Sequence, residues 1–227
     1  EIDVAVIGAS HGSSENVDIH TRVLAPALDW FHGGSMSSAQ LSTETWWTGW
    51  LAEGTTLVTP DAAYDALFRR ALLTAALHLD ASGGGVISGM HNGSRPYVRP
   101  RDAVHTWAAL TRAGHFNEGE QIIRFLRNVA QRSEEQWGRG FWYDKYTTDG
   151  RRLSDRPQID AAAGIPRVGW LYYMATGRSD FLERNYPFFA DAARVITERS
   201  TADMRVYFDE ITGLMHANTA WDEGFER

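Results

Sequence analysis

Residues 159–182 read I-D-A-A-A-G-I-P-R-V-G-W-L-Y-Y-M-A-T-G-R-S-D-F-L. An apolar run from about Asp160 to Ala175 stops at Gly177, and a new amphipathic run opens at Ser179-Asp180. Glycine after a helix and Ser/Asp before the next are the usual stop and start signals, because glycine tolerates the left-handed cap and short polar side chains cap free N–H groups. The spacing predicts two helices joined by a tight hinge. The second reaches about Arg199, with Phe181, Leu182, Phe188, Phe189, Ala192 and Ile196 facing inward and Pro187 bending or restarting it.

The same grammar extends upstream. A helix is predicted from Pro60-Asp61 to about Asp80, capped by Thr59 or Asp61, with Leu67, Ala71, Leu72, Ala75, Ala76 and Leu79 at helical spacing. Gly83-Gly84-Gly85 stops it, and Val86–Ile87 is a short extended piece. A second helix is predicted from about Asp102 to Thr111, ended by Ala113-Gly114. A third runs from about Asn117 to Gln131, with Ile122, Ile123, Phe125, Leu126 and Val129 as its apolar face. An aromatic loop, Trp137 to Tyr146, leads to the turn Asp149-Gly150. Residues 206–216 read as a hairpin around Glu210–Gly213. Residues 1–57 are expected to be irregular or β, with a strand at Val4–Ile7 and a tryptophan-rich linker, Trp46 to Leu51. Five helices with short hinges and long polar loops, and no βαβ alternation, predict a mainly α chain of α/α type over residues 58–227.

The chain has 227 residues with 22 basic against 29 acidic side chains, a net charge of −7. An acidic body is a poor partner for nucleic acid or an anionic membrane. No apolar run approaches ~20 residues, so no membrane span is expected. There are no cysteines, which removes disulfide and thiolate chemistry from these residues. Glu1-Ile2-Asp3 in place of an initiator methionine predicts a processed or trimmed start. His11, His20, His32, His91, His105 and His115 show no ligand spacing, and Ser10, Ser13 and Ser14 form no nucleophile elbow, so no metal and no cofactor is expected. Ile7-Gly8-Ala9-Ser10-His11-Gly12 lacks both phosphate-loop fingerprints.

The densest polar cluster is Arg95-Pro96-Tyr97-Val98-Arg99-Pro100-Arg101-Asp102. Asp102 sits where a helix cap or first-turn carboxylate belongs. A guanidinium beside a helix-anchored carboxylate also supplies adjacent donors and acceptors, as neighbouring sugar hydroxyls require. The 12% aromatic content adds flat apolar faces suited either to a core or to sugar rings.

Tyr97-x-x-Pro100-Arg101-Asp102-Ala103 is similar to the clamp segment of the glucoamylase-type glycoside hydrolases (family fifteen, with glucodextranases and bacterial trehalases). Trp46 to Leu51 followed by Gly84-Gly85-Val86-Ile87, then Arg156-Pro157-Gln158-Ile159-Asp160, then Thr176 to Leu182, resemble further family segments in the family's order. The resemblance implies the first half of an (α/α)6 barrel and an exo-acting, inverting hydrolase of terminal α-linked glucose or a modified sugar. It implies that Arg101 and Asp102 hold the terminal sugar and that Tyr97 and Arg99 belong to the same clamp. Arg156, Gln158 and Asp160 would frame the adjoining subsite, with Trp142 and Trp221 as sugar-facing aromatics.

In Ala220-Trp221-Asp222-Glu223 the family's general acid falls on Asp222, or on Glu223 after a shift of one residue. A flanking indole supplies the dry wall that raises a carboxyl pKa. Arg99 stands where the family has tryptophan, and Arg95 where it has an aromatic. These added cations suit an acidic or otherwise modified sugar, or else Arg99 pairs with a local carboxylate. An inverting hydrolase needs a second carboxylate ~6.5–9.5 Å from the acid. The family's base lies downstream, and a six-hairpin barrel takes roughly 400 residues. The expected partners are therefore an oligosaccharide and a second half-barrel. Two other classes remain open: a non-catalytic carbohydrate-binding or assembly protein, and a sugar phosphorylase or uronide hydrolase on a helical barrel.

Overall fold

The structure, a computed structural model, describes residues 36–89, 96–137, 140–155 and 158–197, the pairs 208–209 and 214–215, and isolated positions 25 and 29. The chain divides into two units, Glu1–Thr56 and Leu57–Arg227.

In the first unit, helix α1 spans Met36–Glu53. Over these residues a helix stands where the sequence led us to expect an irregular stretch and a tryptophan-rich linker. The helix has no clean apolar stripe to betray it, and local contacts carry it instead. Gln40 donates to Glu44 one turn on at 2.7 Å, and the Thr45 hydroxyl donates to the Leu41 carbonyl at 2.7 Å. Trp46, Trp47 and Trp50 meet edge to face, with ring centroids 4.5 and 5.9 Å apart. The strand expected at Val4–Ile7 lies outside the described residues.

The second unit is built from helical hairpins. Helix α2 (Ala62–Leu77) begins at Asp61, whose carboxylate accepts the Ala63 N–H at 2.8 Å. Of its apolar residues at helical spacing, Leu72 is buried, while Leu67 is 63% exposed. Helix α3 (Pro100–Arg112) opens with proline at its first position, where no N–H is needed. Gly114, at φ 84°, turns the chain into α4 (Phe116–Trp137). The predicted α4 face, Ile122, Ile123, Phe125, Leu126 and Val129, is fully buried. Helix α5 (Ile159–Thr176) ends in Gly177, whose φ of 67° is the predicted left-handed cap, and α6 (Ser179–Thr197) follows. Pro187 lies inside α6, and the helix runs through it.

Helix α3 packs on α4 and α5, and α5 packs most extensively on α6. An aromatic cluster joins them: Trp107 of α3 lies 6.4 Å from Tyr172 of α5 and 6.5 Å from Phe181 of α6. Helix α5 approaches closely because it is glycine-rich on its contact faces. A Cβ on Gly164 would stand 2.6 Å from Val104, and one on Gly169 2.5 Å from the Phe189 ring. Consecutive hairpins with α3 against α5 are compatible with an α-helical toroid, and the chain is mainly helical throughout the described residues.

A small set of bridges links the loops before α3 and α5. Single antiparallel bridges pair Ile87 with Val98, Val98 with Tyr146, and Tyr146 with Arg152. Farther on, β1 (Phe208–Asp209) pairs antiparallel with β2 (Leu214–Met215), Phe208 opposite Met215.

Candidate functional site at the helix amino termini

Helices α3 and α5 begin side by side. The residue before each is extended, Arg99 at φ −108°, ψ 124° and Gln158 at φ −121°, ψ 101°. Both start with a carboxylate in the first turn, Asp102 and Asp160. Unpaired N–H groups at a helix start carry partial positive charge, which favours carboxylates there.

Four contacts organise the site. The Gln158 side-chain carbonyl accepts the Arg101 N–H at 2.9 Å. The Gln158 N–H donates to the Trp142 carbonyl at 2.7 Å, tying the aromatic loop to α5. The Ser88 hydroxyl donates to Asp102 Oδ2 at 2.5 Å. The Arg101 guanidinium stands 3.6 Å from Asp160 Oδ2. Burial pushes the Asp160 carboxyl above its ordinary value, and the Arg101 charge works against that rise.

Tyr97 is held through its carbonyl, which accepts the Ser88 N–H at 2.9 Å, and Lys145 Nζ lies 5.9 Å from the centre of its ring. Lys145 also sits 3.9 Å from Asp144. Two cation–carboxylate pairs therefore stand at this end of the helices, Arg101 with Asp160 and Lys145 with Asp144. Two buried polar atoms, Gln158 Nε2 and Asp144 Oδ1, have no hydrogen-bond partner among the described residues. A buried polar atom without a partner is costly, so both mark this end of the helices as a polar interior.

Tyr97, Arg99, Arg101, Asp102, Gln158 and Asp160 therefore meet at the amino-terminal ends of α3 and α5. Trp142 does not present a face to a sugar. Its side chain is 0% exposed, its indole N–H donates to the Leu126 carbonyl at 2.9 Å, and its ring meets Phe188 edge to face. Gln158 is also fully buried and acts through the backbone of Arg101. Arg156, Trp221, Asp222 and Glu223 lie outside the described residues. Sequence reasoning missed Ser88, which is fourteen positions before Asp102 and carries no motif of its own. It also missed Lys145, inside a loop read only for its aromatics. No group of three or more metal-ligating side chains occurs among the described residues. No described helix is long and apolar enough to cross a membrane.

No known protein-family model matches the chain, and no curated protein sequence matches it.

Proposed function

We propose that this chain carries one wall of the sugar pocket of an exo-acting, inverting α-glycosidase of glucoamylase type. In this reading the hairpins α3–α4 and α5–α6 belong to the first half of an (α/α)6 barrel, and a second half-barrel supplies the base. Arg101 and Asp102 bind the terminal sugar, with Asp160 adjoining. Asp222 or Glu223 protonates the leaving oxygen. The observation that carries the proposal is the fixed pair of helix starts. Gln158 fixes the Arg101 backbone, Ser88 holds the Asp102 carboxylate, and the Arg101 guanidinium stands 3.6 Å from Asp160, which brings a guanidinium donor and two carboxylate acceptors to the same helix starts. An anchored set of this kind loses little side-chain entropy on binding, which is why it suits a small polar ring.

The test is calorimetry and product analysis of the full-length protein on maltose, isomaltose, trehalose and acidic oligosaccharides. The proposal expects binding that Asp102→Asn and Arg101→Lys each weaken about tenfold or more, as loss of a charged hydrogen bond does. It also expects a β-anomeric first product and loss of turnover in Asp222→Asn or Glu223→Gln. Binding without turnover in the full-length chain would reduce the proposal to a carbohydrate-binding role. Turnover only with phosphate would make the protein a phosphorylase. Failure of every glycan to bind would overturn it.

A further inference from the structure

A second charged site lies on different helices. Between α4 and α6 is an open cavity of about 240 Å³. Arg124 and Arg127 line it from α4, three residues apart and so on one helix face, and Arg184 lines it from α6. Phe181 and Ile123 form its apolar wall. The carboxylate of Glu120, at one edge, is already engaged by Arg178 and by the Tyr172 hydroxyl, which donates to it at 2.9 Å. Asp180 is likewise shared between Arg178 at 2.9 Å and Arg184 at 3.0 Å.

The cation count exceeds these partners. Arg124, Arg127, Arg178 and Arg184 face Glu120 and Asp180, leaving two positive charges over in a chain whose net charge is −7. The surplus falls on Arg124 and Arg127, neither of which has a carboxylate partner among the described residues. Arg127 is nonetheless aimed. Its guanidinium donates to Asn185 Oδ1 at 3.2 Å, and Asn185 is itself buried and fixed by its Nδ2 donating to the Phe181 carbonyl at 2.8 Å. A buried amide that holds an uncompensated guanidinium toward a cavity makes a pre-organised anion receptor, because the donors need no rearrangement when the anion arrives.

We propose that this α4–α6 groove binds a small phosphate-type oxyanion, either free or as a monoester. Arg124 and Arg127 supply the charge, and Arg184 closes the far side. The site shares no residue with the helix-end clamp and does not depend on the glycosidase reading.

The experiment is calorimetric titration of the protein with inorganic phosphate and with phenyl phosphate, against chloride at equal ionic strength. Saturable binding of phosphate but not chloride is expected, weakened about tenfold in Arg124→Gln/Arg127→Gln and about threefold in the exposed single variant Arg124→Gln. Circular dichroism of both variants checks the fold. Should the double variant not fold, the single variant decides. Phenyl phosphate binding at least threefold tighter than phosphate identifies a monoester ligand, and equal binding identifies the free ion. Wild-type protein that does not distinguish phosphate from chloride overturns the proposal, as does unchanged affinity in a folded Arg124→Gln variant.

Discussion

Gln158 Oε1 accepts the backbone N–H of Arg101 at 2.9 Å, across 57 positions of sequence, and so joins the first turn of α3 to the cap of α5. The bond is buried at the Gln158 end. Replacing Gln158 by Leu strands the Arg101 N–H and is expected to cost about 1–3 kcal/mol. Urea unfolding of the Gln158→Leu variant measures it. A loss below the error of the extrapolation would show that the two helix starts are not coupled through this residue.

Ser88 acts on the same site through Asp102. Ser88→Ala removes a short hydrogen bond to a carboxylate that is partly exposed, so the expected stability loss is about 1 kcal/mol. Under the glycosidase reading sugar affinity falls with it, and Ser88→Thr, which keeps the hydroxyl, restores both. Affinity that stays at the wild-type value in Ser88→Ala would mean Asp102 needs no positioning.

Trp142 separates a core role from a sugar-platform role. Trp142→Phe keeps most of the buried ring and loses the hydrogen bond to Leu126, so stability is expected to drop by about 1–3 kcal/mol. Glycan affinity should stay within twofold of wild type. A stable variant with weakened glycan binding would return Trp142 to the pocket.

Two glycines should respond in opposite directions. Gly169→Ala drives a methyl to 2.5 Å from Phe189 and is expected to destabilise by about 1–3 kcal/mol. Gly49 in α1 has nothing within 4 Å of an added Cβ, so Gly49→Ala is expected to stabilise by about 0.5–1 kcal/mol through helix propensity. Thermal melts of the two variants decide it, and shifts of the same sign would contradict the packing described for α5.

Asp160 and Asp180 should tilt the acid limb of stability oppositely. Burial raises the Asp160 pKa above the ordinary 3.8, so the folded state holds a proton that the unfolded state has lost. Its contribution to stability therefore falls as pH rises just above 3.8. The hydrogen bond from Arg178 lowers the Asp180 pKa below 3.8, so its contribution grows as pH rises toward 3.8 and is lost on acidification. Subtracting the stability–pH curves of Asp160→Asn and Asp180→Asn from wild type should give slopes of opposite sign. Matching slopes would remove one of the two environments.

Much of the helical layout was legible in the residues because its signals are local. The buried α4 face, Ile122 to Val129, repeats at the helical period, and Gly177 and Asp61 are caps whose chemistry acts within one turn. Helix α1 was not legible, since its tryptophans and threonines follow no apolar stripe. The charged residues Arg101, Asp102 and Asp160 at the helix starts stand out in the sequence by order and type, yet Ser88 and Lys145 do not, because they arrive from other loops through the bridges at Val98.

By itself the sequence determined the α/α character, the hinges and the charged starts of α3 and α5. Periodicity, caps and first-turn carboxylates are properties of neighbouring residues. Only the tertiary structure decided which aromatic is core and which polar group is buried. It alone placed Trp142 against Leu126 and Gln158 on Arg101, and aimed Arg127 into the α4–α6 groove. Burial and long-range hydrogen bonding depend on what the rest of the chain brings to a residue, and no local pattern encodes that.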